Sequence, residues 1–235
     1  MKAMILAAGR GERMRPLTVS SPKPLLEAGG KALIVRHLER LVTAGIVDIV
    51  INHAWLGGRI EAALGDGRSF GARIAYSAEA VALETAGGIA QALPLLGDQP
   101  FLVINGDIHC EWDCNRAHSI ADRLAGSDAL AWLVLVPNPA HHPHGDFRLA
   151  AGRVQDGDGS DATLTFSGIA VYRPQLFAAL VRGAAARLAP LLRAQMPAAA
   201  ILGERFDGAW ADIGTPARLR ELDRQLRGAS TAGPA

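Results

Sequence analysis

The chain has 235 residues, with 24 Lys and Arg set against 23 Asp and Glu, so its formal net charge is +1. That balance excludes the basic excess of a nucleic-acid-binding protein, while 49% hydrophobic and 20% charged residues exclude a disordered chain. Two cysteines are too few for a disulfide scaffold and suit a reducing cytosol.

In chain order, Lys2–Leu6 predicts a strand that runs into a glycine-bearing loop over 7–15. This opening apolar run is too short for a secretory signal, being broken by Gly9 and Arg10. Leu33, Val35, Leu38, Leu41 and Val42 recur at near-helical spacing, and Gly45 stops them. A β-branched strand follows over 47–52, then a helix over 56–64 and an alternating strand over 73–77. Helical periodicity returns over 89–96, and Phe101–Asn105 is a buried-type strand that ends at Gly106 and Asp107. Residues 129–136 form another strand, stopped by Pro137 and Pro139 and far short of the roughly 20 residues a membrane span needs. The chain is therefore expected to be cytoplasmic, with no membrane partner.

The second half is less regular. Short strands are expected over Phe147–Ala150, 163–166 and 169–172, interrupted by the turn-rich QDGDGSD of 155–161, with helices over 174–181 and 189–195. A strand over 209–211 precedes Asp212, and Thr215 with Pro216 opens a last helix to about Leu226. Alternating strands and helices predict an α/β chain, with one Rossmann-like domain over 1–227. Its central sheet is expected to be mainly parallel and flanked by helices. Residues 228–235 are expected to be a disordered tail.

The loop after the first strand, LAAGRGERMRPLT, brings small residues and glycines to a strand end, where backbone N–H groups can approach an anion. It is not a dinucleotide fingerprint, because Met14 stands where a third Gly is needed. Nor is it a P-loop, which needs Gly-Lys-Ser/Thr at its end. Ala8, Gly9 and Gly11 remain, followed by Arg13 and by Ser21-Pro22-Lys23-Pro24. Only Lys2, Lys23 and Lys31 are lysines in a chain that otherwise writes Arg. Prolines on both sides of Lys23 disfavour helix and present the ammonium from a rigid turn. A Gly-x-Gly alone suits an ordinary surface turn; the composite suits a polyphosphate, with Lys as a point charge and Arg as a fork.

Asp107 and Asp212 both stand just past apolar strands, where open parallel sheets bind ligands. Each alone suits a turn or a helix cap. Together, beside a phosphate loop, they suit Mg²⁺, which takes one or two carboxylates and completes its shell with phosphates and water. His109, Cys110, Cys114 and His118 have zinc-type residues at suggestive spacing, but such a cluster reads better as packing. His141, His142 and His144 are expected to flank a substrate, and the four tryptophans are too scattered for a stacking platform.

LAAGRGERMRPLT…SPKP, then NGD, then DIGTP, resembles the sugar-1-phosphate nucleotidyltransferases (nucleotide-sugar pyrophosphorylases) over 1–226. LETAGGI at 83–89, HPHGDF at 142–147 and LAPLL at 188–192 narrow the likeness to members that transfer uridylyl to N-acetylmuramate 1-phosphate. The resemblance implies a glycosyltransferase-A-like nucleotidyltransferase fold, Mg²⁺ as cofactor, and a nucleoside triphosphate and a sugar 1-phosphate as partners. It implies that Ala8, Gly9 and Gly11 cradle phosphates, that Arg13 and Lys23 are catalytic, and that Asp107 and Asp212 hold the metal. It further implies that Thr85, Gly87 and Gly88 line the base pocket and that Gly145, Asp146, Ser167 and Gly168 face the sugar. Where similar sequences carry an aromatic residue two positions before Leu188, this chain has Ala186 and then Arg187. Other sugar 1-phosphates with UTP, dTTP or GTP, or a non-catalytic nucleotide-sugar-binding subunit, are the competing readings. A monomer or small homo-oligomer is expected.

Overall fold

A computed structural model describes residues 1–157 and 163–231. Strand β1 (Lys2–Leu6) leads through the glycine loop to a short α1 (Leu17–Ser20) and a small hairpin, β2 (Glu27–Ala28) and β3 (Lys31–Ala32). There follow α2 (Leu33–Thr43), β4 (Asp48–His53), α3 (Gly57–Leu64), β5 (Arg73–Ala78) and α4 (Glu84–Leu96). Next come β6 (Phe101–Asn105), β7 (Ile108–Cys110), α5 (Arg116–Ala125) and β8 (Ala131–Val136). The remainder holds β9 (Phe147–Ala150), β10 (Arg153–Asp156), β11 (Thr163–Tyr172), α6 (Leu188–Gln195), β12 (Ile201–Arg205), β13 (Trp210–Asp212) and α7 (Pro216–Thr231).

Nine strands form one sheet in the order β5-β4-β1-β6-β11-β8-β12-β10-β9. Strands β5, β4, β1 and β6 are parallel to one another, as are β8 and β12. Strand β11 runs against both β6 and β8, and β10 runs against its neighbours. The sheet is thus mainly parallel, as expected, with two strands reversed.

Period-two alternation sends Ala3 and Ile5 to one face and Met4 to the other. The first face packs against Ile34, Leu38 and Leu41 of α2 and Ile120 and Leu124 of α5. The second packs against Ile89 of α4 and Leu188 and Leu192 of α6. A third cluster joins Met14 of the glycine loop to Leu219 and Leu222 of α7, and Asp223 Oδ1 accepts the Gly29 N–H at 2.8 Å.

The second half corrects several expectations. The strands expected over 163–166 and 169–172 are one, β11, interrupted by a bulge between Phe166 and Ile169. The helix expected over 174–181 shrinks to a single 3₁₀ turn, Pro174–Phe177. The bonds there keep the three-residue spacing, the N–H groups of Leu176, Ala178 and Leu180 donating to Arg173, Gln175 and Phe177, so no four-residue ladder is built. Further on, the Ala186 carbonyl accepts from the N–H groups of Ala86 and Gly87 at 3.0 and 3.1 Å. Strands β10 and β12 and helix α5 were not anticipated. Residues 158–161 of the turn-rich segment lie outside the described residues, as do 232–235; helix α7 runs past Leu226 to Thr231, over part of the expected tail.

Candidate active site

The chain crosses over in opposite senses on either side of β1, so the crevice at the carboxyl ends of β1 and β6 is the switch point where such sheets bind ligands. A cleft of about 380 Å³ opens there, lined by Ala8, Gly9, Lys23, Thr85 and Asp107 among others. Lys23 is 8% exposed, and its Nζ donates to Asp107 Oδ2 at 2.5 Å. The two prolines and a 3₁₀ turn over Lys23–Leu25 hold it there. Gly11, with φ of 62°, turns the loop outside the cleft lining, and its carbonyl accepts from Thr18 Oγ1 at 2.7 Å. Arg13 is exposed beyond that turn and makes no ion pair or hydrogen bond among the described residues.

Sequence reasoning missed the polar wall of the cleft. Asn52, at the end of β4, accepts the Ala7 N–H at 2.9 Å and donates to Glu79 Oε1 at 2.6 Å. Glu79 Oε2 in turn accepts the Leu83 N–H at 2.8 Å. This buried network ties the glycine loop to the start of α4. Asn105 ends β6 and lines the cleft as well. The available signal was shared: two apolar strands, VDIVIN and FLVIN, each close on Asn.

Gly87 and Gly88 are buried behind this wall rather than lining it. A Cβ on Gly88 would stand 2.7 Å from Glu79 Oε1 and 2.8 Å from Asn52 Nδ2, so the network needs glycine there. A Cβ on Gly87 would meet backbone, at 2.4 Å from the Ala184 carbonyl oxygen.

Asp107 and Asp212 are brought together by a two-stranded ribbon in which β13 runs antiparallel to β7, with Asp212 opposite Ile108. The Ile213 N–H donates to the Asp107 carbonyl at 2.8 Å. Asp212 Oδ1 is buried without an aligned hydrogen bond, with His141 Nε2 standing 2.8 Å away, and Arg218 Nη1 bonds Oδ2. A buried carboxylate oxygen that lacks an aligned hydrogen bond, on the ribbon that also carries Asp107, has the donor chemistry for a divalent cation of the Mg²⁺ class once His141 and Arg218 yield it. Among the described residues no three His, Cys, Asp or Glu side chains group to hold a metal ion. Cys110 and Cys114 are buried and free; burial pushes the Cys110 thiol up to about 11 and raises that of Cys114.

A second pocket of about 290 Å³ adjoins the first and shares Glu84, Thr85 and Asn105 with it. Asp146 lines it, accepting the Phe166 N–H at 2.8 Å and lying 3.1 Å from His142 Nε2. Ser167 and Gly168 form the β11 bulge, with Ser167 buried beneath it. Gly168 has φ of 84° and backs onto Asn105, whose Nδ2 would lie 2.6 Å from an added Cβ. Gly145 turns the chain just before Asp146, outside the pocket lining. Arg187 is the cation of that lining among the described residues, 3.9 Å from Glu84. The two connected pockets, with Lys23 and Asp107 on the first and Asp146 and Arg187 on the second, have room for two molecules end to end; Asp212 lines neither of them.

The family model described as nucleotidyl transferase matches residues 2–156. The N-acetylmuramate alpha-1-phosphate uridylyltransferase of Neisseria meningitidis serogroup B is 55% identical over 227 residues, covering 94% of this chain and 96% of that protein. Its namesake from Caulobacter vibrioides is 34% identical over 232 residues, covering 91% and 92%. A solved Bacillus anthracis structure in complex with a sucrose superposes with a TM-score of 0.84 at 21% identity, covering 97% of this chain and 95% of that one. That last likeness speaks to the fold.

Proposed function

The chain belongs to the nucleotidyl transferase family, and on that premise we propose that it transfers uridylyl from UTP to N-acetylmuramate α-1-phosphate, releasing pyrophosphate, in cell-wall sugar recycling. The observation that carries the reading is the Lys23–Asp107 pair at the mouth of two continuous pockets. The substrate follows that of the two uridylyltransferases that match nearly end to end. It also suits Arg187, a cation available to the lactyl carboxylate that distinguishes this sugar from N-acetylglucosamine.

A phosphate oxygen of the sugar phosphate attacks the α-phosphorus, a new P–O bond forms, and the α–β bridging bond breaks as pyrophosphate leaves. The nucleophile is an anion near neutral pH, so no side chain need remove a proton. The difficulty is bringing two polyanions together, and catalysis is positioning and charge stabilisation. Ala8 and Gly9 let backbone N–H groups reach the triphosphate, with Gly11 shaping the turn. Lys23 places its charge at the reacting phosphate, and Arg13 is free to reach the outer ones. Thr85, with Gly87 and Gly88 behind it, forms the nucleotide side of the wall. Asp146 and the bulge of Ser167 and Gly168, with Gly145 before it, shape the sugar side. Asp107 and Asp212 would hold Mg²⁺, which when bound neutralises phosphate charge and screens the approach. No helix among the described residues is long and apolar enough to cross a membrane. We place the protein in the cytoplasm as a monomer or small homo-oligomer.

Pyrophosphate release with Mg²⁺ tests this, crossing UTP, dTTP, GTP and CTP with the α-1-phosphates of N-acetylmuramate, N-acetylglucosamine, glucose and mannose. The expected result is a dominant rate for UTP with N-acetylmuramate 1-phosphate. A maximum elsewhere in the grid moves the substrate, and silence throughout from folded protein refutes the chemistry.

A further inference from the structure

Behind the β7–β13 ribbon lies a separate cavity of about 110 Å³ that shares no lining residue with either pocket of the active site. Arg36, His37 and Arg40 of α2 wall it on one side, and Ile108 and His109 of β7 on the other. His37 is 2% exposed, and among the described residues neither ring nitrogen has an aligned hydrogen bond, the Ile108 carbonyl lying near enough only to pull on the ring. Arg36 Nε is buried and, among the described residues, unpartnered too. Buried polar groups are nearly always satisfied, so unmet nitrogens converging on one cavity point to something that fills it.

The local charge selects what that is. Arg36 spends its Nη2 on the Ala28 and Gly29 carbonyls, and Arg40 spends its Nη2 on the Trp112 carbonyl. Among the described residues neither guanidinium pairs with a carboxylate. Glu39, the acid on the lining, is held by Lys31 at 2.6 and 2.8 Å. Asp113 lies within reach of Arg40, Glu111 of His109 and Asp107 of His37, but none of these acids lines the cavity, so two guanidinium groups dominate its wall and disfavour a zinc ion on the histidines and Cys110. The volume is far below the roughly 300 Å³ at which drug-sized ligand pockets begin, which excludes a nucleotide or a sugar.

We infer that this cavity binds a small oxyanion of the inorganic phosphate class, with Arg36 Nε, Arg40 and the His37 ring as its donors. Charge-assisted N–H bonds from guanidinium to such an anion are among the stronger hydrogen bonds a protein makes. Burial and the Arg40 charge hold the His37 pKa down to about 4, and an anion bound there would relieve that repulsion. The proposal is independent of the reaction assigned to the main cleft.

Inorganic phosphate also enters a triphosphate cleft, so the readout must report on the cavity itself. Phosphate titrated into the intact protein at constant ionic strength, followed by histidine ring NMR with His37 assigned from His37→Gln, provides one. The His37 signal is expected to move saturably, to do so equally in Lys23→Ala, and to need at least tenfold more phosphate in Arg40→Gln. Arg36→Lys, which lacks the Nε–H, provides the same comparison if Arg40→Gln does not fold. A still His37 signal while others move would assign phosphate to the main cleft alone. An equal response to chloride, or unchanged affinity in the arginine variants, would overturn the site.

Discussion

Lys23 sits against Asp107 with its side chain 9% exposed, whereas that of Asp107 is 43% exposed. A buried cation acts in a medium that screens it weakly, and the proposed reaction would develop phosphate charge beside this one. Lys23→Ala is therefore expected to lower kcat about 10²–10³-fold, the scale of losing one preorganised donor to a transition state. The fold should persist, because Asp107 is open enough to be rehydrated. Steady-state kinetics beside a thermal melt checks both parts, and near wild-type turnover would remove Lys23 from the chemistry. This residue was legible because scarce lysine and paired prolines mark it, and Asp107 because it follows a plain apolar strand. Asn52, Glu79 and Asn105 were not: an Asn that ends a strand looks the same whether it turns the chain or, like Asn52, clasps the Ala7 N–H from a distant segment.

Helix α4 is an element whose first turn is built by another part of the chain. The Ala186 carbonyl accepts from Ala86 and Gly87, and the Ala186 N–H donates to Leu83 at 3.0 Å. Gly87→Ala would drive a methyl group against that backbone, which cannot yield as a side-chain tip would. The expected cost is about 1–3 kcal/mol, as for other overpacked sites. Because the displaced segment carries Arg187 and Leu188 into the second pocket, KM for the sugar phosphate should rise more than KM for the nucleotide. Urea unfolding and the two KM values test this, and an unchanged ratio would separate the segment from sugar binding. Buried strands such as β6 and β8 were legible as unbroken apolar runs. The segment over 174–181 was not, because its buried Leu176 and Phe177 anchor only a single 3₁₀ turn, and the backbone that serves α4 comes from Ala186 beyond it, which no local pattern records.

For the molecule as a whole, His37 couples stability to pH. Burial first, then the charges of Arg40 and His109, hold its pKa down from 6.5 to about 4, against smaller upward pulls from the Ile108 carbonyl and Asp107. The unfolded chain binds this proton more readily than the fold does between those values, so stability falls as pH falls. From pH 6.5 to 5 the loss is expected to be roughly 1–2 kcal/mol, with His37→Gln flattening that part of the profile. Urea midpoints in phosphate-free buffer at the two pH values check it; parallel profiles would show that His37 is not the group responsible. The parallel α/β architecture was legible from alternating strands and helices. The insertion of β11 between β6 and β8 was not, since pairing partners far apart in the chain leave no periodic trace. That long-range construction also sets an order in time. A ribosome delivers Asp107 well before Asp212, and α7, whose Leu219 and Leu222 pack on Met14 of the glycine loop, emerges later still. The sheet can begin to form during translation, but a nascent chain acquires its complete site only as this last helix clears the exit tunnel.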